Sequence, residues 1–194
     1  MRRLVYVSHA NVVVEPDKPV PLWSLSDEGR RRHVAFGETA LARSVTKVFS
    51  SAETKAVEAA RASFPRLAST LAIREAMHEN DRSATGFLAP PEFWPVVERF
   101  FAEPTVSVRG WERAVDAQGR IVAATERALA ESAEHETIAL VGHGGVGTLL
   151  YCHLAGLPIA RHDQPGTGGG NVIVAEFGET VTVSHWQAME DFAR

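Results

Sequence analysis

The sequence predicts an α/β protein, a three-layer α/β/α arrangement with a mostly parallel central sheet and a C-terminal hairpin. Three observations predict it. Short apolar runs alternate with longer stretches of helical period; one apolar run ends in a glycine loop that opens directly into a helix; and the chain closes on two strand-like runs two residues apart. Alternating strands and helices build a parallel sheet covered on both faces, whereas a two-residue connection can only join antiparallel strands. At 194 residues the chain fits one domain, 1–194, with a sizeable core and no need of disulfides.

The elements follow in order. Leu4 to Val7, "LVYV", read as a first buried strand. "SLSDEGRRRHVAFGETALAR" reads as one helix, with Ser26 as N-cap ahead of the acidic pair Asp27-Glu28. "TKVFSS" is a second strand, "AETKAVEAARASF" a second helix started by Ser51, and "STLAI" a third strand. From Arg74 to Pro91 the sequence has no clear period and carries Gly86 and two prolines. It reads as an inserted loop, the start of a substrate-facing region about 74–110. "PEFWPVVERFFAE" is a helix that places Pro95 in its first turn, where a missing N–H is tolerated. Ala114, Ala117, Ile121, Ala124 and Ala128 then step by threes and fours along one face of a longer helix. "ETIALVGHGG" is a strand ending in glycines, and "VGTLLYCHLAG" a helix closed by Gly156. Gly178-Glu179, between "NVIVAEF" and "TVTVSHW", fits a tight turn of the II′ type.

Composition narrows the function classes. A net charge of −4 lacks the basic excess of a nucleic-acid-binding protein. Arg30-Arg31-Arg32 sits in a helix beside Asp27 and Glu28 and reads as a solvated face. Cys152 is the only cysteine, which excludes an intramolecular disulfide and fits a reducing cytoplasm. The run after Met1-Arg2-Arg3 is broken by Ser8 and His9, too early for a signal peptide, and no segment approaches the ~20 apolar residues of a membrane helix. A cytoplasmic protein without nucleic-acid or membrane partners is expected.

Ligands of parallel α/β sheets bind outside the carboxyl ends of the strands. His9 follows "LVYV" and His143 follows "TIALVG". A lone histidine there would ordinarily be structural, but two at equivalent ends of two strands meet at one rim of a shared sheet. Together they can attack, protonate or stabilise a negatively charged centre. A competing reading exists, because Gly142 to Gly147 match the dinucleotide fingerprint G-x-G-x-x-G. It lies late in the chain, lacks an acidic strand end about 20 residues on, and leaves His9 unexplained. The glycines still bring backbone N–H groups close to an anion.

Four motifs in sequence carry a resemblance: "SHAN" at 8–11, "SSAETKAVEAA" at 50–60, "MHENDR" at 77–82 and "VGHGGV" at 141–146. The chain resembles the histidine phosphatase superfamily, also called phosphoglycerate-mutase-like, over essentially its whole length. That family has R-H-G or R-H-A after the first strand, S-S-x-x-x-R-A-x-x-T-A after the second, a glutamate in an insertion, and a late S-H-G-G loop. The resemblance implies that His9 is the nucleophile that forms a phosphohistidine, and that His143 contacts the transferring phosphoryl group. It makes Glu79 the acid/base, with Glu75 as rival, and gives the phosphate to Ser8, Asn11, Lys55, Arg82 and Gly144.

Two of these depart from the pattern. Ser8 stands where the family has arginine, and Lys55 where the second motif has one. A serine is a neutral hydroxyl and a lysine a point charge, so bidentate contacts worth roughly 1.5–3 kcal/mol each are lost. Arg82, in the insertion, is a candidate to replace part of them. The expected function is a phosphomonoester hydrolase or phosphotransferase acting through a phosphohistidine on a small phosphorylated substrate or inorganic phosphate, without metal or cofactor. Hydrolysis is favoured because the chain is short for a glycolytic mutase. The alternative is a catalytically impaired relative that binds a phosphorylated ligand or a partner protein. Cys152 and His153 read as core or helix surface, the His185-Trp186 pair as packing, and His33, His78 and His135 have no spaced partners. Trp23, Trp94 and Trp111 fall near the rim or insertion, open either to substrate contact or to packing. The apolar "FWPVVERFF" is open to packing internally or against a second copy as a homodimer.

Overall fold

The structure, a computed structural model, describes residues 1–192. Seven strands form one sheet: β1 (Arg2–Ser8), β2 (Lys47–Ser51), β3 (Ala72–Arg74), β4 (Thr137–Gly142), β5 (Asn171–Phe177), β6 (Val181–Val183) and β7 (Gln187–Ala188). Their order is β3-β2-β4-β1-β5-β6, with β7 paired to β5. The first four run parallel, and β5 lies antiparallel beside β1. Helices α1 (Asp27–Gly37) and α3 (Thr54–Ser63) pack together, as do α5 (Ala114–Ala130) and α6 (Gly144–Leu154); α2 (Ala40–Ser44) and α4 (Pro90–Ala102) complete the set.

The central strands are buried on both faces, which is why β1 and β4 read as unbroken apolar runs. Alternate side chains feed two cores. Leu4, Tyr6, Ile138 and Leu140 pack with Phe100, Trp111, Ile121 and Leu149, while Val5, Val7, Ala139 and Val141 pack with Phe36, Ala59 and Phe64. The alanine face of α5 is buried at Ala114, Ala117, Ile121, Ala124 and Ala128, as its spacing predicts. α4 turns Val96, Phe100 and Phe101 inward and leaves Trp94 half exposed. No helix among the described residues is long and apolar enough to cross a membrane.

Several boundaries differ from the sequence reading. The long first helix is two: α1 stops at Gly37, where a Cβ would lie 2.6 Å from the Ser63 carbonyl, and Thr39 caps α2 by accepting the Ala42 N–H. The helix after β2 starts at Thr54 instead of Ser51, because Ser51 belongs to the strand. The third strand is short, since Pro65–Thr70 wind into a 3-10 turn ahead of it. Pro95 sits in the second turn of α4, the first turn being made by Pro90 and Pro91. The final hairpin has a three-residue turn: Phe177 pairs with Val181, and Gly178 does not take the positive φ that a II′ turn needs.

Candidate active site

The parallel register decides where the histidines go. Ser8 is level with Gly142, so the next residue on each of the two adjacent central strands is His9 and His143. Their rings lie 5.3 Å apart between centroids, edge to face.

His9 is held on three sides. Its N–H donates to the Gly142 carbonyl at 2.9 Å, its carbonyl accepts the Gly170 N–H at 2.9 Å, and its Nδ1 lies 2.9 Å from the Ala10 carbonyl. A carbonyl only accepts, so Nδ1 carries the proton and Nε2 keeps its lone pair. Gly170 makes its contact from a left-handed conformation (φ 69°), as do its neighbours Gly168 and Gly169. This explains the run "GTGGGN", whose conformation side chains with a Cβ rarely adopt. Burial first, then His143 and Lys55, lower the His9 pKa from 6.5 to about 3, so the ring is neutral at pH 7.

His33 supports this loop from behind. Fully buried, it accepts the Ala10 N–H at Nε2 (3.0 Å) and bonds Ser63 Oγ through Nδ1 (2.9 Å). Burial, then His9 and Arg32, lower its pKa from 6.5 to about 3. The unfolded chain therefore binds a proton below pH 6.5 that the folded chain refuses until about pH 3. Stability is full above pH 6.5 and falls on acidification, by up to about 1.4 kcal/mol per pH unit for this group. Urea unfolding between pH 7 and 5 is expected to show that slope, and His33→Gln to reduce it by one proton's worth.

His143 is positioned by Tyr6, whose phenol donates to the His143 carbonyl and accepts the His143 N–H, both at 2.9 Å. A Cβ on Gly142 would lie 2.5 Å from that phenol oxygen, so the phenol's place excludes any side chain there. The imidazole is wholly buried. Its Nε2 lies 2.8 Å from Ser51 Oγ and 3.4 Å from Glu53 Oε1. Its Nδ1 is buried and has no partner among the described residues. Burial lowers its pKa against the opposing pull of Glu53 and Glu79.

Two carboxylates face this pair. Glu79 Oε2 accepts the Gly145 N–H at 3.0 Å, and Oε1 accepts those of Val146 at 2.9 Å and Asn80 at 3.0 Å. It thus occupies the N-terminus of α6, where amides and helix dipole favour an anion, and takes amides that a dinucleotide would need. Arg82 lies 3.3 Å from Glu79 Oε2, with its guanidinium 5.3 Å from the Phe93 and Trp111 ring centroids. Burial works to raise the Glu79 pKa, but Arg82, then His143 and the amides, outweigh it and hold the carboxyl below its usual range. Arg120 ties the segment to α5, donating to the carbonyls of Ala76 and His78 at 2.9 Å while pairing with Glu112.

Glu53, which the sequence reading passed over as a helix residue, is the second carboxylate. It accepts the Glu79 N–H at 2.9 Å and pairs with the Lys55 ammonium. Burial works to raise its pKa, but His143 and Lys55 outweigh it and bring it to about 2. Asn80, buried beside Glu79, has an Nδ2 without a partner among the described residues.

The structure brings His9, His143, Glu79, Arg82 and the amides beside Gly144 to one place. Lys55 is there too, but buried, paired with Glu53 and donating to the Val20 carbonyl at 2.9 Å. Glu75 is exposed in a 3-10 turn. Ser8, too short to reach outward, bonds the Asn171 N–H at 2.9 Å. Asn11 accepts from Arg32 at 2.8 Å and lines a separate cavity of about 430 Å³ with Thr167 and Glu190. That arginine departs from the solvated face expected of Arg30 to Arg32: its side chain is 12% exposed and pairs with Glu190. Trp23 and Trp111 are buried, and Trp94 carries the Arg161 guanidinium over its ring. Trp186 packs edge-on against Tyr6.

A family model described as the histidine phosphatase superfamily (branch 1) matches residues 19–188. Among solved structures, the chain is similar to the mycobacterial glucosyl-3-phosphoglycerate phosphatase, at 20% identity and a TM-score of 0.78 over 97% of this chain and 99% of that one. It is similar to YhfR of Bacillus stearothermophilus, at 21% identity and a TM-score of 0.77 over 95% and 96% of the two chains. The phosphoserine phosphatase of Entamoeba histolytica, solved as a mutant with phosphoserine, has 13% identity and a TM-score of 0.77 over 98% of each chain. No curated protein sequence matches.

Proposed function

The chain belongs to the histidine phosphatase superfamily, and on that premise we propose that it hydrolyses small phosphomonoesters through a phosphohistidine on His9. One observation carries the reading: His9 Nδ1 is tied to the Ala10 carbonyl, which leaves a neutral imidazole whose own lone pair is on Nε2, at the head of two central strands. That atom attacks phosphorus, the bond to the leaving oxygen breaks, and the leaving oxygen takes a proton from the site's acid. Water then attacks the phosphohistidine, the P–N bond breaks, and inorganic phosphate leaves.

Glu79 is the acid and base. As the site stands its carboxylate is ionised, held by Arg82 and three amides. A phosphate dianion draws Arg82 toward itself and sets a negative charge beside Glu79, and both changes raise its affinity for a proton. Arg82 takes the part of the missing arginine clamp, while the Gly144 backbone amide, not among those bound by Glu79, and the Asn80 side-chain Nδ2 supply neutral donors. Lys55 contributes its field from behind Glu53. Ser8 and Asn11, engaged elsewhere, serve the loop instead of the phosphate.

The test is hydrolysis of an aryl phosphate and a panel of small phosphomonoesters between pH 5 and 8, with EDTA present. Turnover that vanadate inhibits competitively is expected. No release of phosphate from any of them would sink the reading.

A further inference from the structure

The phosphate pocket has an electrostatic deficit. Position 8, an arginine in the resemblance, is serine. Lys55 is neutralised by Glu53, and Arg82 faces Glu79. Two cations and two carboxylates leave no net positive charge for a tetrahedral dianion, which needs cations and N–H donors around its oxygens.

The nitrogens of His143 show where that charge can come from. Nε2 faces Ser51 Oγ and the Glu53 carboxylate. The hydroxyl can donate or accept, but an ionised carboxylate 3.4 Å away only accepts and repels a bare lone pair, which favours the tautomer with the proton on Nε2. In the neutral ring Nδ1 is then a bare lone pair, buried and unpartnered among the described residues, next to His9. A phosphoryl oxygen arriving there meets a lone pair, unless Nδ1 gains a proton and becomes a donor. An unpaired buried polar atom costs about 1–3 kcal/mol, and ligand plus proton together remove that cost.

We propose that Glu53 is a positioning residue that lets His143 take up a proton when the phosphate group binds, so that the cation absent from position 8 enters the pocket from solvent. This rests on the phosphate-pocket reading above. The proton goes from solvent to Nδ1, no covalent bond between heavy atoms changes, and the imidazolium is held between the Glu53 carboxylate and the ligand oxygen.

The groups facing His143 are His9 from the end of β1, Glu53 and Lys55 from the start of α3, and Glu79 and Arg82 from the insertion; the Tyr6 phenol bonds only its backbone. Glu53 and Glu79 favour the imidazolium, whereas Lys55, Arg82 and burial oppose it. Among the protein's own groups burial prevails, which favours the neutral ring. A dianion in contact reverses the balance.

Sulfate is the probe, because it is a tetrahedral dianion with no proton to exchange near neutral pH. Calorimetric titration at pH 7.5 in two buffers of different ionisation enthalpy counts the protons taken up. Wild-type protein is expected to take up about one proton, an uptake that Glu79→Gln retains, and to bind sulfate about tenfold more weakly per pH unit between the pKa of the free ring and its higher pKa in the complex. Glu53→Gln is expected to bind sulfate at least about tenfold more weakly and to lose that proton. If Glu53 merely neutralised Lys55, Glu53→Gln would free a cation and tighten binding, which overturns the proposal. Sulfate binding to wild type without buffer dependence overturns it too, leaves the pocket reading standing, and needs no variant to fold. Sulfate that does not bind at all removes the pocket and both readings with it.

Discussion

His9→Ala is expected to abolish phosphomonoester hydrolysis, with a loss of at least about three powers of ten, while the protein stays folded. Deleting a covalent nucleophile removes the intermediate that splits one difficult displacement into two easier ones, and losses of that order or more are usual for nucleophiles. Folding survives because the bonds that hold the rim at His9 are made by its backbone N–H and carbonyl, which alanine keeps. The proposed mechanism also predicts which nitrogen takes the phosphoryl group. Nδ1 donates to the Ala10 carbonyl, so the phosphoryl group is expected on Nε2. Rapid quench of wild type with a labelled aryl phosphate, followed by base hydrolysis of the protein and separation of the two phosphohistidine isomers, reads this out. Label on Nδ1, or label that persists in His9→Ala, would contradict the assignment. Equal rates in the two proteins would mean that the site no longer runs through this histidine.

The fold class and the pairing of His9 with His143 were legible because both follow from position along the chain. Each histidine ends a run that only a doubly covered parallel strand explains, and a shared sheet sends such ends to one rim. Glu79 was singled out only through the family resemblance of "MHENDR", since by itself a carboxylate in a polar, aperiodic insertion reads as an ordinary exposed one. Glu53 was not, because in "SSAETKAVEAA" it sits one residue before a helix, among the charges of an ordinary solvated first turn. Only the three-dimensional placement of β2 against β4 turns it toward His143. Tyr6 and His33 were hidden for a similar reason. Their partners are the His143 backbone and the Ala10 amide, 137 and 23 residues away in sequence, and no local pattern marks a side chain that serves a distant peptide group. The three glycines at 168–170 carry no local sign of their target, because their fit against His9 depends on where β5 returns beside β1. Ser8 was the departure that mattered most, and its consequence became visible only with the other charges in place.

Arg82→Met is expected to lower kcat/KM by about one to two powers of ten, the value of one charge-assisted clamp of roughly 1.5–3 kcal/mol. Arg82→Lys is expected to recover little of it. The guanidinium lies 5.3 Å from the centroids of both Phe93 and Trp111, and those two aromatic contacts suit a planar, weakly hydrated cation better than an ammonium. The pH profile separates this role from loss of packing. Arg82 is the largest favourable influence that holds Glu79 ionised, so its removal raises the Glu79 pKa. An acid works only while protonated, and hydrolysis therefore declines above that pKa. The alkaline limb of the kcat/KM profile, which reports the free enzyme, is expected to move to higher pH in Arg82→Met even as the maximum falls. A uniform drop with an unmoved limb would assign Arg82 to the architecture of the insertion, and a gain in activity would mean that its bond to Glu79 restrains the site more than its charge assists the phosphate.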